Sequence, residues 1–262
     1  LAVTSAVDYW GSGGWTAVSG FTDGTLSGGA TLAQTGAMTF DSTVTTALPK
    51  WEQGLIVYAY QVRISGATSV GTAVRHVTVD APWQTIKDLW DGTPRDTIHF
   101  QRAGQDYTLE VLEEDNTVAP MGGFLTTDEL FIGFSERQMA ISWIIAGGQG
   151  NTTSATATLQ YWNASAWVTV ANFVDSTIPL ATTNSLGASG VMSWTPPAET
   201  LEYQREISGK QAWFYRLTWS ANLSATVNID AVHGATAPRR IKGFRFAMRF
   251  QGRLFLLGDI VS

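Results

Sequence analysis

The sequence predicts an all-β protein: two tandem antiparallel β-sandwich domains of jelly-roll type, related by an internal repeat and followed by a C-terminal β-hairpin. Three observations predict it. Helix signals are nearly absent, and short runs of alternating polarity are separated by turn residues. The 262-residue chain has 26 Gly but only 8 Pro, and 44% of its residues are hydrophobic. One set of residues also returns at a fixed spacing. Asp8-Tyr9-Trp10, Trp15, Val18, Phe21 and Asp23 reappear as Gln160-Tyr161-Trp162, Trp167, Val170, Phe173 and Asp175, each 152 residues later.

The match continues with small drift. Met38/Met192 and Phe40/Trp194 lie 154 apart, Tyr60/Trp213 and Arg63/Arg216 153, and Val79/Ile229 and Asp80/Asp230 150. A spacing held this closely over so long a stretch indicates a duplicated domain. The expected division is copy one over 1–82, a connecting insert over 83–123, copy two over 124–237, and a hairpin over 238–262 that starts a further unit.

Copy one opens on a strand ending at Trp10. Gly11-Ser12-Gly13-Gly14 supplies a hairpin turn that tolerates positive φ. Asn163-Ala164-Ser165 turns the matching hairpin of copy two. Tyr58, Tyr60, Val62 and Ile64 alternate with Gln61 and Arg63. Trp213, Tyr215, Leu217 and Trp219 likewise alternate with Phe214, Arg216 and Thr218. That period of two fits strands buried on one face. Trp10, Trp15, Trp162 and Trp167 are expected in the core, where each would remove a large area from water.

Copy two has a long β-like approach over 129–160, whereas only eight residues precede Tyr9. Copy one therefore lacks two strands, and the insert is expected to cover the open edge. Within the insert, Thr85–Trp90 reads as one helical turn. Thr97–Phe100 and Tyr107–Leu112 read as a hairpin around Ala103-Gly104. Near the C-terminus, Phe244, Phe246, Met248 and Phe250 alternate with Arg245 and Arg249, and Gln251-Gly252 turns into Arg253–Leu257. Both ends are expected to be cuts through a longer polypeptide.

Net charge is −6, unevenly spread. From Arg239 to Ser262 six basic residues face one acid, a balance of +5, which leaves −11 elsewhere. The acidic bulk argues against nucleic-acid binding. No apolar run reaches the length of a membrane span. Without cysteine, disulfides and thiolate metal sites are excluded.

No catalytic motif is present: no nucleophile elbow, phosphate loop, dinucleotide fingerprint or zinc-protease helix. His76, His99 and His233 lack metal-ligand spacing, and no cofactor is expected. Glu113-Glu114-Asp115 reads as a solvated loop. Asp23/Asp175 and Asp80/Asp230 recur in calcium-compatible positions, but an Asp in a turn is explained by bonds to nearby backbone N–H groups. The residues named for ligand or partner contact are Arg63 and Arg216 on the polar strand face, Trp51, Trp83 and Trp90 in irregular contexts, and Arg239, Arg240, Arg245 and Arg249 in the basic hairpin. For the two strand arginines, cross-strand pairing with a carboxylate stands beside ligand capture.

The motif Tyr161-Trp162, Trp167–Val170, Asp175-Ser176-Thr177, Met192–Pro197, Ile207–Lys210 and Trp213–Leu217 resembles sandwich modules in tail-associated and virion structural proteins of tailed bacteriophages and prophages. Those modules are similar to galactose-binding-like jelly rolls. The likeness covers about 124–237 well and copy one less well. It implies a non-enzymatic assembly or host-contact role in the virion, with other virion subunits, further domains of the same polypeptide or a host-surface glycan as partners, and a homo-oligomeric assembly. The alternative is a pair of carbohydrate-binding modules of a secreted or surface-attached carbohydrate-active enzyme, which would be extracellular.

Overall fold

A computed structural model describes residues 3–12, 14–75, 77, 88–89, 93–112, 117–237, 239–240, 244–250 and 253–258. The described residues are nearly all β, in antiparallel strands with one short 3₁₀ turn at Leu109–Val111. The N-terminal region holds β1 (Ser5–Gly11), β2 (Gly14–Ala17), β3 (Thr22–Asp23), β4 (Met38–Thr39), β5 (Pro49–Glu52), β6 (Leu55–Tyr58) and β7 (Tyr60–Ile64). The connecting segment holds β8 (Asp88–Leu89), β9 (Arg95–Asp96), β10 (His99–Arg102), β11 (Gln105–Asp106) and β12 (Ala119–Pro120). The second region holds β13 (Leu130–Phe134), β14 (Gln138–Ile145), β15 (Ala157–Trp162), β16 (Trp167–Thr169), β17 (Ala171–Asp175), β18 (Gly190–Thr195), β19 (Arg205–Ile207), β20 (Lys210–Trp219) and β21 (Asn228–Thr236). After it come β22 (Arg239–Arg240), β23 (Phe244–Phe250) and β24 (Arg253–Gly258).

The second region is a two-sheet sandwich. One sheet runs β11-β10-β13-β20-β15-β16, with β19 also on β20; the other runs β12-β21-β14-β18-β17, with β9 also on β21. Their facing sides enclose one apolar core that includes Phe100, Phe124, Phe134, Trp143, Tyr215 and Trp219. Burying each such side chain contributes about 1.5–3 kcal/mol.

Among the described residues, the connecting strands β9 to β12 belong to this sandwich and none pairs with a strand of the first region. They pair with β13 and β21 or with each other. The hairpin around Ala103-Gly104 forms, but its return strand is Gln105–Asp106, and Leu109–Val111 is 3₁₀. Asp88–Leu89 is a strand on β22, not helix; Thr85–Lys87 and Trp90 lie outside the described residues.

The first region is smaller. Its sheet is β2-β1-β7, with the two-stranded ribbons β3-β4 and β5-β6. Its contacts recur in the second region at offsets of 152 to 155. Tyr9 lies opposite Tyr60, and Tyr161 opposite Tyr215. Val18 N–H donates to Val7 O as Val170 N–H does to Leu159 O, both at 3.1 Å. The Thr4–Ser65 hydroxyl pair matches Thr156–Ser220. Asp23 accepts from Thr25, whose hydroxyl accepts from Leu32 N–H; Asp175, Thr177 and Leu186 repeat this.

Within these strand pairs Tyr60 stands opposite Tyr9 and Tyr215 opposite Tyr161; Gln61 stands opposite Asp8 and Arg216 opposite Gln160, and Arg63 lies two positions beyond Gln61, opposite Ala6. Val79 and Asp80 lie outside the described residues.

The regions touch through a second apolar cluster: Ile56 of β6 packs with Met139, Ala140, Val191 and Ala235, with Trp51 beside them. The hairpin β5-β6 thus lies on the outer face of the second region's β12–β17 sheet.

Candidate functional site

Strand parity decides which aromatics are buried. Tyr161 points into the core and is 9% exposed, so its neighbour Trp162 must point outward. Trp10, Trp15, Trp162 and Trp167 therefore lie outside the core, contrary to expectation; Trp15 is 40% exposed. In each region the two Trp rings face one another across a hairpin, edge to face, with centroids 5.5 Å apart. A cation covers each pair. Lys50 Nζ lies 5.4 and 5.8 Å from the Trp10 and Trp15 rings. The Arg205 guanidinium lies 4.0 and 5.0 Å from Trp162 and Trp167. Such contacts contribute about 0.5–1 kcal/mol at exposed sites. The sequence reading missed both cations, although each lies ten residues before its matched tyrosine, Tyr60 or Tyr215.

The strand arginines are paired within the protein. Arg63 donates to both oxygens of Asp8, through Nε and, at 2.9 Å, through Nη2. Asp8 is almost fully buried, and the Arg63 hydrogen bond holds its carboxyl below the usual range. Arg216 donates to Gln160 Oε1 at 2.8 and 2.6 Å and pairs with Glu129. Gln160 stands directly opposite Arg216, whereas Asp8 stands opposite Gln61, so Arg216 reaches straight across its strand pair and Arg63 reaches diagonally. This is cross-strand pairing.

Trp51 is a strand residue, not a loop residue. It stacks on His233, centroids 5.2 Å apart and planes 8° apart, where the two regions meet. Trp83 and Trp90 lie outside the described residues. Arg239 and Arg240 lie in β22, and Arg245 and Arg249 in β23, far along the chain from the other named residues.

Asp23 accepts from the hydroxyls of Ser5, Thr25 and Thr31 and from Thr25 N–H. Burial pushes its carboxyl up, but these donors outweigh it and hold it at about 2. The donors around it are the partners of an Asp turn. Among the described residues no group of three His, Cys, Asp or Glu side chains could hold a metal ion.

A groove of about 710 Å³ lies between the regions, lined by Tyr9, Thr46, Pro49, Tyr58, Asn172 and Thr195 among others. Among the described residues no Asp, Glu, Lys, Arg or His lines it. Hydroxyl groups and aromatic rings in an uncharged trough suit a neutral polyhydroxylated ligand. The residues named from sequence do not gather here.

No family model, curated protein or solved structure matches this chain.

Proposed function

We propose that this chain is a non-enzymatic structural segment of a tailed-phage tail or virion protein, acting by rigid spacing and subunit contact. In this reading one β scaffold has been laid down twice in tandem. The observation that carries it is the recurrence of whole contact sets: the crossed Trp pair under a cation, the Asp–Thr–Leu turn, the Thr–Ser hydroxyl pair. All of these hold the scaffold together, and the strand arginines serve it too. What recurs is therefore framework, which fits a building element better than a reaction centre. Mass spectrometry of purified phage particles from the source is expected to find the chain in stoichiometric amounts. Its absence from particles, with presence among free secreted proteins, would overturn the reading.

The uncharged groove supports a second reading, contact with a neutral host-surface glycan. Titration with neutral oligosaccharides would then shift the Tyr58 and Tyr9 ring resonances; unshifted resonances at high sugar concentration would remove it.

A further inference from the structure

The same strand is covered in one region and open in the other. β7 and β20 hold matched places: Val62 lies opposite Val7 as Leu217 lies opposite Leu159. β20 has β15 on one edge and β13 on the other, and β13 in turn carries β10. β7 has β1 on one edge and no strand on the other among the described residues. Ala59 O and Ser65 N–H bond toward β1, so by alternation the N–H and C=O groups of Tyr60, Val62 and Ile64 point to the open edge. The cost shows on the inner face. Tyr215 and Leu217 are fully buried, whereas Tyr60 and Val62 are 42% and 54% exposed. An edge with free backbone groups and apolar side chains is a template for a further strand.

We propose that the open edge of β7 takes up the C-terminal hairpin β23-β24 of a second copy of this chain. β23 pairs antiparallel with β24 and with no other described strand. In sequence Phe246, Met248 and Phe250 alternate with Ala247 and Arg249. That is the pattern of β13, whose Leu130 and Ile132 lie opposite Leu217 and Tyr215. β23 laid antiparallel on β7, with β24 outside it, would reproduce the β20-β13-β10 path already present in the second region. β7 spans five residues, as does β13, and β23 spans seven, enough to cover it. Charge disfavours hairpin against hairpin, since 239–262 carries +5, and favours the hairpin against the rest of another copy, which carries −11 in sum. The contact is heterologous, head to tail, and repeats into a ring or a filament. It rests on the assembly reading above.

Sedimentation velocity of the full chain tests it, from micromolar to submillimolar concentration. Wild type is expected to form a concentration-dependent series of head-to-tail species. Val62→Lys places a charge on an already exposed edge residue and is expected to weaken association about tenfold or more. Met248→Lys, on the other partner strand, is expected to do the same, with far-UV circular dichroism unchanged for both. Mixing the two variants leaves one intact edge and one intact hairpin, so 1:1 dimers are expected and longer species are not. A wild type that stays monomeric overturns the proposal, as does association that Val62→Lys leaves unchanged or a mixture that forms no dimer. If the chain is nevertheless stoichiometric in particles, the assembly reading survives and only this contact falls.

Discussion

The Tyr215 hydroxyl donates to Glu202 Oε1 at 2.5 Å inside the second region. The same hydroxyl accepts from Gln138 N–H at 2.7 Å, and Arg137 Nε bonds the other Glu202 oxygen at 2.8 Å. The strand β20 of one sheet is thereby tied to the start of β14 in the other through the loop carrying Glu202. Burial pushes both the Glu202 carboxyl and the Tyr215 hydroxyl up. Tyr215→Phe strands a buried carboxylate oxygen and a buried N–H together. It is expected to cost about 2–4 kcal/mol in chemical denaturation, since each orphaned polar group costs about 1–3 kcal/mol. A loss under about 0.5 kcal/mol would show that the network does not brace the sandwich.

Asp23 gives the first region a defined acid sensitivity. Its carboxyl is held at about 2, below the ordinary 3.8, so the native state binds its proton less readily than the unfolded chain does. That stabilisation is complete above about pH 4 and is lost as pH falls toward 2. Asp23→Asn is expected to be less stable at neutral pH and to show a flatter stability profile across that window. A profile parallel to wild type would contradict the assignment.

Two matched glycines sit where no side chain fits. A Cβ on Gly190 would collide with the Ser176 carbonyl oxygen, and one on Gly36 with the Gly24 carbonyl oxygen. Both obstacles are backbone, so relief requires moving a turn. Gly190→Ala is expected to destabilise by more than about 2 kcal/mol in thermal or chemical unfolding, the scale of core overpacking. Gly147→Ala, with open space around its Cβ, is the control and is expected to be tolerated.

Ile56 is fully buried between the regions. Ile56→Ala is expected to cost about 2–4 kcal/mol. Because its neighbours come from β14, β18 and β21, the loss is expected to appear as an uncoupling, with the first region melting before the second. One unchanged cooperative transition would show that the interface carries little of the stability.

The all-β class, the two hairpin turns and the buried Tyr215, Leu217 and Trp219 of β20 were legible in the sequence, because period two and turn chemistry act locally. The matching expectation for Tyr60 and Val62 fails, because no second sheet covers them among the described residues. Which of two adjacent aromatics is buried was not legible. Tyr161 and Trp162 are adjacent, and only the sheet's other face decides which one meets the core. Nor is the outer face of β20 simply polar: Phe214 is buried there edge-on to His99, with Ser208 bonded to Gln101 nearby. The connecting hairpin carries no local sign that it joins the sheet downstream rather than the one upstream. Lys50 and Arg205 carry no local signal, because each reaches its Trp pair from another strand, β5 or β19.

On the proposal that one scaffold is laid down twice, the edge covered on β20 in the second region is open on β7 in the first, among the described residues. Native-state hydrogen exchange on dilute protein tests it most directly at Val62 and Leu217. Both amides point away from the β1/β15 side; Leu217 faces β13, and Val62 faces the open edge. Leu217 is expected to exchange only by large-scale opening, and Val62 at least about a hundredfold faster. Equal protection at the two sites would contradict the account.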